Sequence, residues 1–463
     1  MKKEYYSFHF VQKHSDMPSD LKLSFSFDRS YVIYGKMNNH DKNHYCKGFM
    51  ILIKNQNHCK NAIEAFKYNR SQYLIILGII SFITGYSVHI TNETDQIYAP
   101  INLPKDRQGN KLIFGDKDYT KDLNTLLSKI QAKNSLLPTI LDKLRRASHH
   151  IESSYGTLMY IDDALLCLVQ ALEILFNEYD DKMKSNVKLQ INNFLKSFFT
   201  TTLFDKTDRG GLIKESEKNI LKFLYNGKVG LEAKIKFMLH FHSMLDENIS
   251  YFIDNIVKAR NKIAHGNKLN ADNIYTYSNF FSSSDYPLKD TMLLMKLVYC
   301  LISKHYGLTR WNNQIKFVQS DVPLSYDTFN CILTGQLDIE DVDGKIIISE
   351  TDYHIKWSTV IFYYTRLKDY DRKKIEKVFK KFFLNNVFDP QNCKEIFYLS
   401  LVLSEAYDLE IREKARGNIK LAIEHDCNLI YTYDSSIYIK PNDLKYEWFE
   451  EYIRVYSEST KQD

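Results

Sequence analysis

Six consecutive residues near the middle of the chain, Arg260-Asn261-Lys262-Ile263-Ala264-His265, bring together side chains suited to acid–base and anion chemistry. A histidine side chain changes charge near neutral pH and can carry a proton to or from a reacting group. An arginine stays charged and offers a planar fork to a phosphate or a developing oxyanion. Asn261 stands between them and could orient a phosphate or the histidine. Gly266 follows at once, and glycine is the residue that most easily ends a helix. The same letters therefore fit the working edge of a nuclease or a plain helix end, where the dipole favours a histidine.

The elements around the motif narrow the choice. In the preceding run, ISYFIDNIVKARNKIA, the residues Ile249, Phe252, Ile253, Ile256, Ile263 and Ala264 are spaced for one face of a helix. Arg260 follows Ile256 by four residues and precedes Ile263 by three, which puts it on that apolar stripe. An arginine there must snorkel to solvent, pair with an acid or line a seam against another helix. Glu173 is one internal acid it could pair with.

Length and pattern divide the rest. A chain of 463 residues exceeds one typical core. Residues 1–119 read as a mixed α/β domain. LKLSFSFD alternates from Leu21 to Asp28, YVIYG and KGFMILIK look like further strands, and a helix is expected from about Asn57 to Thr84. The prolines and glycines of YAPINLPKDRQGNKLIFGDKDYT mark a boundary near residue 120. Residues 120–310 read as a bundle of helices with modest connections, and the run MYIDDALLCLVQALEILFNEY is apolar around most of its circumference. Residues 311–463 read as a mixed, mostly helical accessory region with a hairpin turning at Asp343-Gly344 and a closing helix. The expected fold class is mainly α.

Within that setting Arg260 to His265 resembles the Arg-x4-6-His signature of HEPN domains, with a polar residue directly after the arginine. LVQALEILFNEY (Leu168 to Tyr179), which holds Glu173, is similar to the long early helix of that bundle. A mixed N-terminal domain followed by such a module resembles the Apea-type antiphage HEPN proteins. The resemblance implies a metal-independent endoribonuclease. Arg260, His265 and Asn261 would be catalytic, with Glu173 and Lys262 in support. Two copies would pair so that their motifs face one another across a cleft. RNA can supply its own 2′-hydroxyl as nucleophile, so such a protein needs proton transfer and charge stabilisation and no cofactor. The resemblance also implies a toxin-like role that arrests growth during phage infection, with a phage trigger or an antitoxin as further partners. tRNA suits such a role, although no residue here reads a base. A non-catalytic HEPN module that binds a partner protein or a nucleotide is the alternative.

His240 and His242 form an HxH pair, but on a helix positions i and i+2 diverge, so no metal site is expected. Arg145-Arg146 before His149-His150 make a basic corner that fits solvated surface or RNA contact. From Arg366 to Lys381 eight Lys/Arg face three acids. Lys373, Lys377, Lys380 and Lys381 there fit a solvated helix face or a guide for RNA phosphates. DVDGKIIISE misses a calcium loop because its first ligand position is Ile339. The formal net charge of +5 permits an anionic partner without requiring one. Seven cysteines without CxxC spacing fit a reducing cytoplasm. MKKEYYSFHF lacks the apolar run of a signal peptide. The apolar stretch Tyr73–Ile90 carries too many Gly, Ser and Thr for a membrane span, and a buried helix ending near Gly85 is expected.

Overall fold

Alternation sets up the N-terminal strands. β1 (Tyr5–Gln12), β2 (Lys22–Phe27), β3 (Ser30–Asn39) and β4 (His44–Lys54) join β5 (Gln96–Pro100), β6 (Lys111–Phe114) and β7 (Lys117–Asp118). They make an antiparallel sheet in the order β5-β1-β4-β3-β2-β6-β7. In one cross-strand row His9 lies opposite Ile51, Ile51 opposite Val32 and Val32 opposite Phe25, and all four are buried. That row is the strip a helix can cover. The Tyr73 ring meets His9 edge-on at 4.0 Å, and burial pushes His9 down to about 4, which leaves it neutral at neutral pH. The computed structural model describes residues 5–12, 20–39, 44–55, 59–88, 96–100, 109–154, 159–202, 206–225, 229–266, 285–322, 324–349, 351, 353–386, 393–425 and 447–459.

The covering helix is α1 (Ala62–Thr84). Asn61 caps it by accepting the Glu64 N–H at 2.9 Å, and Glu64 reaches back to the Lys60 N–H at 2.6 Å. The apolar stretch expected to be a buried helix ending near Gly85 is the buried C-terminal part of α1. No described helix is long and apolar enough to cross a membrane. Ser87 and Val88 are in neither helix nor strand, and His89 and Ile90 lie outside the described residues. Gly85 ends α1 in the left-handed region at φ +80°, and a Cβ there would lie 2.7 Å from the Trp311 ring. Gly85→Ala is therefore expected to lower unfolding stability by roughly 2–4 kcal/mol, from backbone strain plus overpacking. Urea unfolding of the variant and the wild type measures this, and equal midpoints would refute it.

Six helices follow: α2 (Thr120–Gln131), α3 (Leu137–Ser153), α4 (Ile161–Phe176), α5 (Asp180–Thr201), α6 (Lys206–Tyr225) and α7 (Leu231–Phe241). α1 packs on α3 and α3 on α4. Gly78 lets α1 approach closely, since a Cβ there would lie 3.1 Å from Leu141. α5 and α6 pair with one another, and only Met183, Leu195 and Phe199 of α5 are buried. The motif helix α8 (Glu247–Ala264) and then α9 (Asp285–Tyr306) complete the run. After α9, Asp122 of α2 accepts the Thr309 and Arg310 N–H groups, each at 2.7 Å.

Compactness divides the chain into two units that interleave in sequence. The first holds residues 1–245 and 291–315, the second 246–290 and 316–463. The motif helix thus belongs to the second unit. Its N-terminus is pinned there by three hydrogen-bonded residues. Asp246 caps it by accepting the Ile249 N–H at 2.8 Å and also accepts from Gln319 of α10 (Gln314–Asp321) at 3.1 Å. Ser325, the cap of α11 (Tyr326–Leu333), donates its N–H to Asn248 at 3.1 Å and its hydroxyl to Glu247 at 2.9 Å.

Among the described residues, the rest of the second unit is a small sheet in the order β10-β9-β8 beside five helices: α12 (Trp357–Arg366), α13 (Asp369–Asn385), α14 (Cys393–Leu403), α15 (Leu409–Glu424) and α16 (Glu447–Ser459). β8 (Ile339–Val342) and β9 (Lys345–Ile348) form the expected hairpin, with Asp343 and Gly344 both at positive φ, and β10 (His354–Ile355) extends it. Phe329, Tyr363 and Phe379 stack at the core, and Ile375 and Phe383 join them from the apolar face of α13.

Candidate functional site

The site helix is buried first and exposed last. Ile249, Phe252, Ile253, Ile256 and Val257 of α8 are buried. One turn later Arg260 and Ile263 are half-buried, and Ala264 and His265 are exposed. Val257 belongs to the stripe and Ala264 does not, so the stripe is shorter than its sequence spacing suggests. Arg260 sits where it gives out.

The last turn arranges the polar residues. Arg260 Nη1 donates to Asn261 Oδ1 at 3.2 Å. His265 caps the helix, its N–H donating to the Asn261 carbonyl at 3.1 Å. Gly266 follows at φ +81° with its N–H on the Ile263 carbonyl at 2.9 Å. Helical geometry turns His265 about 140° away from Arg260 and about 40° from Asn261, over a rise of about 7.5 Å from the arginine. Asn261 and His265 thus share a face, and Arg260 looks elsewhere, tied back through its hydrogen bond to Asn261. One copy of the motif presents an acid–base group and an anion-binding group on different sides of one helix end. Lys262 is exposed on the same turn.

Residues 166–304, from α4 to nearly the end of α9, match the model of the Apea-like HEPN family. The chain carries an Apea-like HEPN domain. HEPN domains are a family of metal-independent ribonucleases often found in defence systems, and RNA is their general substrate. No curated protein and no solved structure matches the chain. The HEPN segment holds both the Arg260–His265 motif and the Leu168–Tyr179 helix that carried the resemblance in sequence.

The other expected residues fall in several places. Glu173 is half-buried on α4, in the first unit. On α3, Arg145 and Arg146 share Asp142 at 2.9 and 2.8 Å, so part of their charge is already answered. On α13, Lys380 is held by Asp408 at 2.7 Å and Glu410 at 2.8 Å, and Lys373 lies over the Tyr407 ring at 4.6 Å. Lys377 and Lys381 are exposed. Among the described residues no group of three or more His, Cys, Asp or Glu could hold a metal ion.

A second polar constellation, at the edge of the HEPN match, was not legible in sequence. His242 caps α7 and parts from the exposed His240, its Nε2 lying 2.5 Å from the Tyr179 hydroxyl. That hydroxyl lies 2.6 Å from His305 Nδ1, and His305 Nε2 lies 2.6 Å from Glu178 Oε2. Tyr306 donates to Glu178 Oε1 at 2.8 Å. These residues come from the α4–α5 corner, the end of α7 and the end of α9, and no local spacing links positions so far apart.

Proposed function

We propose that this protein is a metal-independent endoribonuclease acting as an antiphage, growth-arresting effector. The observation that carries the reading is the end of α8. Within an Apea-like HEPN match, Arg260 is bound to Asn261 and an exposed His265 follows five residues on, at the end of a helix whose first turns are locked in a core. His265 serves as the proton-transfer group and Arg260 steadies the phosphate charge. Asn261 orients the histidine face, Lys262 supports it on the same turn, and Glu173 remains a supporting residue of α4 in the first unit. Because Arg260 and His265 diverge on one helix, the working site takes its arginine and histidine from two copies of the chain, a homodimer that closes a cleft between the motifs. Lys377, Lys381 and the Arg145–Arg146 corner guide RNA, with Lys373 and Lys380 in lesser roles because they are engaged locally. The flanking regions restrain the site until a phage trigger or the loss of an antitoxin releases it.

End chemistry tests the reading. Purified protein is incubated with total RNA in EDTA and the cleavage ends are mapped, tRNA anticodon loops first. Attack by the 2′-hydroxyl leaves 2′,3′-cyclic phosphate on the upstream fragment, and this product is expected to resist EDTA. Cleavage that EDTA abolishes, or that leaves 3′-hydroxyl ends, overturns the assignment.

A further inference from the structure

The chain from His242 to Glu178 has a fixed polarity. Glu178 as a carboxylate only accepts, so His305 Nε2–H must donate to it. In neutral His305, Nδ1 is then an acceptor, and the Tyr179 hydroxyl donates to it. The Tyr179 oxygen in turn accepts from His242 Nε2–H. This leaves His242 Nδ1 with a lone pair at the outer end, where no hydrogen bond is recorded among the described residues. Tyr179, in the middle, is fully buried.

One added proton reverses every link. A proton that arrives at His242 Nδ1 lets Nε2–H pass to Tyr179, and the tyrosine proton pass to His305 Nδ1. The positive charge then rests on His305 against Glu178. His242 remains neutral but now presents Nδ1–H outward, and its Nε2 accepts from Tyr179. A second proton would set two N–H donors against one tyrosine oxygen, so the chain holds one. In its protonated state the outer end is a hydrogen-bond donor, and in its neutral state it repels an acceptor.

The groups around that end are basic. Lys182 Nζ lies over the Phe241 and Tyr179 rings, 4.8 and 5.3 Å from their centroids, and Phe241 packs on the His242 ring at 5.2 Å. Lys304 precedes His305 on α9, and both lysines are exposed. Burial first, then His305, Lys182 and Lys304, hold His242 below the ordinary histidine value. Glu178 is the chain's one carboxylate, and it sits at the far end. A bound anion would reverse the electrostatic contribution of that positive surrounding.

We propose that His242, Lys182 and Lys304 form a phosphate-binding site for the RNA backbone, made of other residues than the Arg260–His265 motif, in which binding of the phosphate and uptake of one proton by the Glu178–His305–Tyr179–His242 chain occur together. The RNA assignment of this site rests on the ribonuclease reading. The phosphate takes the His242 Nδ1–H and the two ammonium groups, and no covalent bond changes.

The test uses the full chain and a 2′-O-methyl RNA oligonucleotide, which binds but cannot supply a 2′-hydroxyl for cleavage. Calorimetry in buffers of different ionisation enthalpy counts the protons. Wild type is expected to take up about one proton per site above the chain's own titration, with affinity falling about tenfold per pH unit there. His242→Gln is expected to lose the uptake and roughly tenfold in affinity. The surface variants Lys182→Ala and Lys304→Ala should each weaken binding while keeping the uptake. Tyr179→Phe strands the proton on His242 and should move uptake to lower pH. Unchanged affinity and proton count in His242→Gln overturn the proposal. So does a His242-dependent response to inorganic phosphate alone, with oligonucleotide affinity unaffected. If His242-sensitive binding persists but unmodified RNA is never cut, the ribonuclease reading fails and the phosphate site stands.

Discussion

His265→Ala is expected to lower RNA cleavage by about 10²–10⁴-fold, the range by which a positioned acid–base group accelerates a reaction. Arg260→Ala is expected to cost about 10²–10³-fold through lost charge stabilisation. Neither change should unfold the protein. His265 is exposed, and Arg260 stands after the last buried turn of α8. Circular dichroism and size exclusion of both variants should match wild type. Arg260→Lys should rescue poorly, because an ammonium cannot reproduce the planar fork that also holds Asn261 at 3.2 Å. If either alanine variant cleaves at the wild-type rate while folded, the assignment of chemistry to this helix end fails.

Mixing the two dead variants separates a site within one copy from a site between copies. The side chains leave α8 about 140° apart, so in the proposed dimer one cleft would draw its arginine and its histidine from two motifs. A mixed dimer of Arg260→Ala and His265→Ala keeps one arginine and one histidine. If they can meet across the cleft, mixing restores a fraction of the activity set by the mixed-dimer population. Mixing that restores nothing while the dimers exchange would place both groups in one copy.

Sequence legibility followed the range of the forces involved. α1, α8 and the β8–β9 hairpin were readable because each declares itself locally: Asn61 and Gly85 bracket one helix, Gly266 ends another, and Asp343-Gly344 suits a hairpin turn. β5, β6 and β7 were hidden in a stretch whose prolines and glycines read as a boundary, since short strands gain their stability from neighbours far along the chain. The site was half legible. Arg260 to His265 is a local pattern and survived as a candidate, but the end of its apolar stripe depends on which turns are covered. The Glu178–His305–Tyr179–His242 chain left no trace at all, because its members are joined only by folding.

Asp290→Asn is expected to make the protein markedly more stable at alkaline pH and to flatten its pH dependence. Asp290 on α9 is 6% exposed, and its Oδ1 has no hydrogen-bond partner among the described residues. Burial pushes its carboxyl up to about 8 from 3.8, and Lys289 offsets this only in part. The folded state therefore binds this proton more tightly than the unfolded chain does. The associated stability is complete below about pH 4 and is lost as pH rises through about 8. A separation of about four units corresponds to as much as about 5 kcal/mol across that window. Asparagine keeps the shape and removes the charge that must be desolvated. The variant's lead in melting temperature should be modest at pH 5 and several degrees larger at pH 8.5. Urea titrations at the two pH values measure the difference directly. A gap between variant and wild type that is the same at pH 5 and pH 8.5 would show that Asp290 does not carry its proton into the folded state.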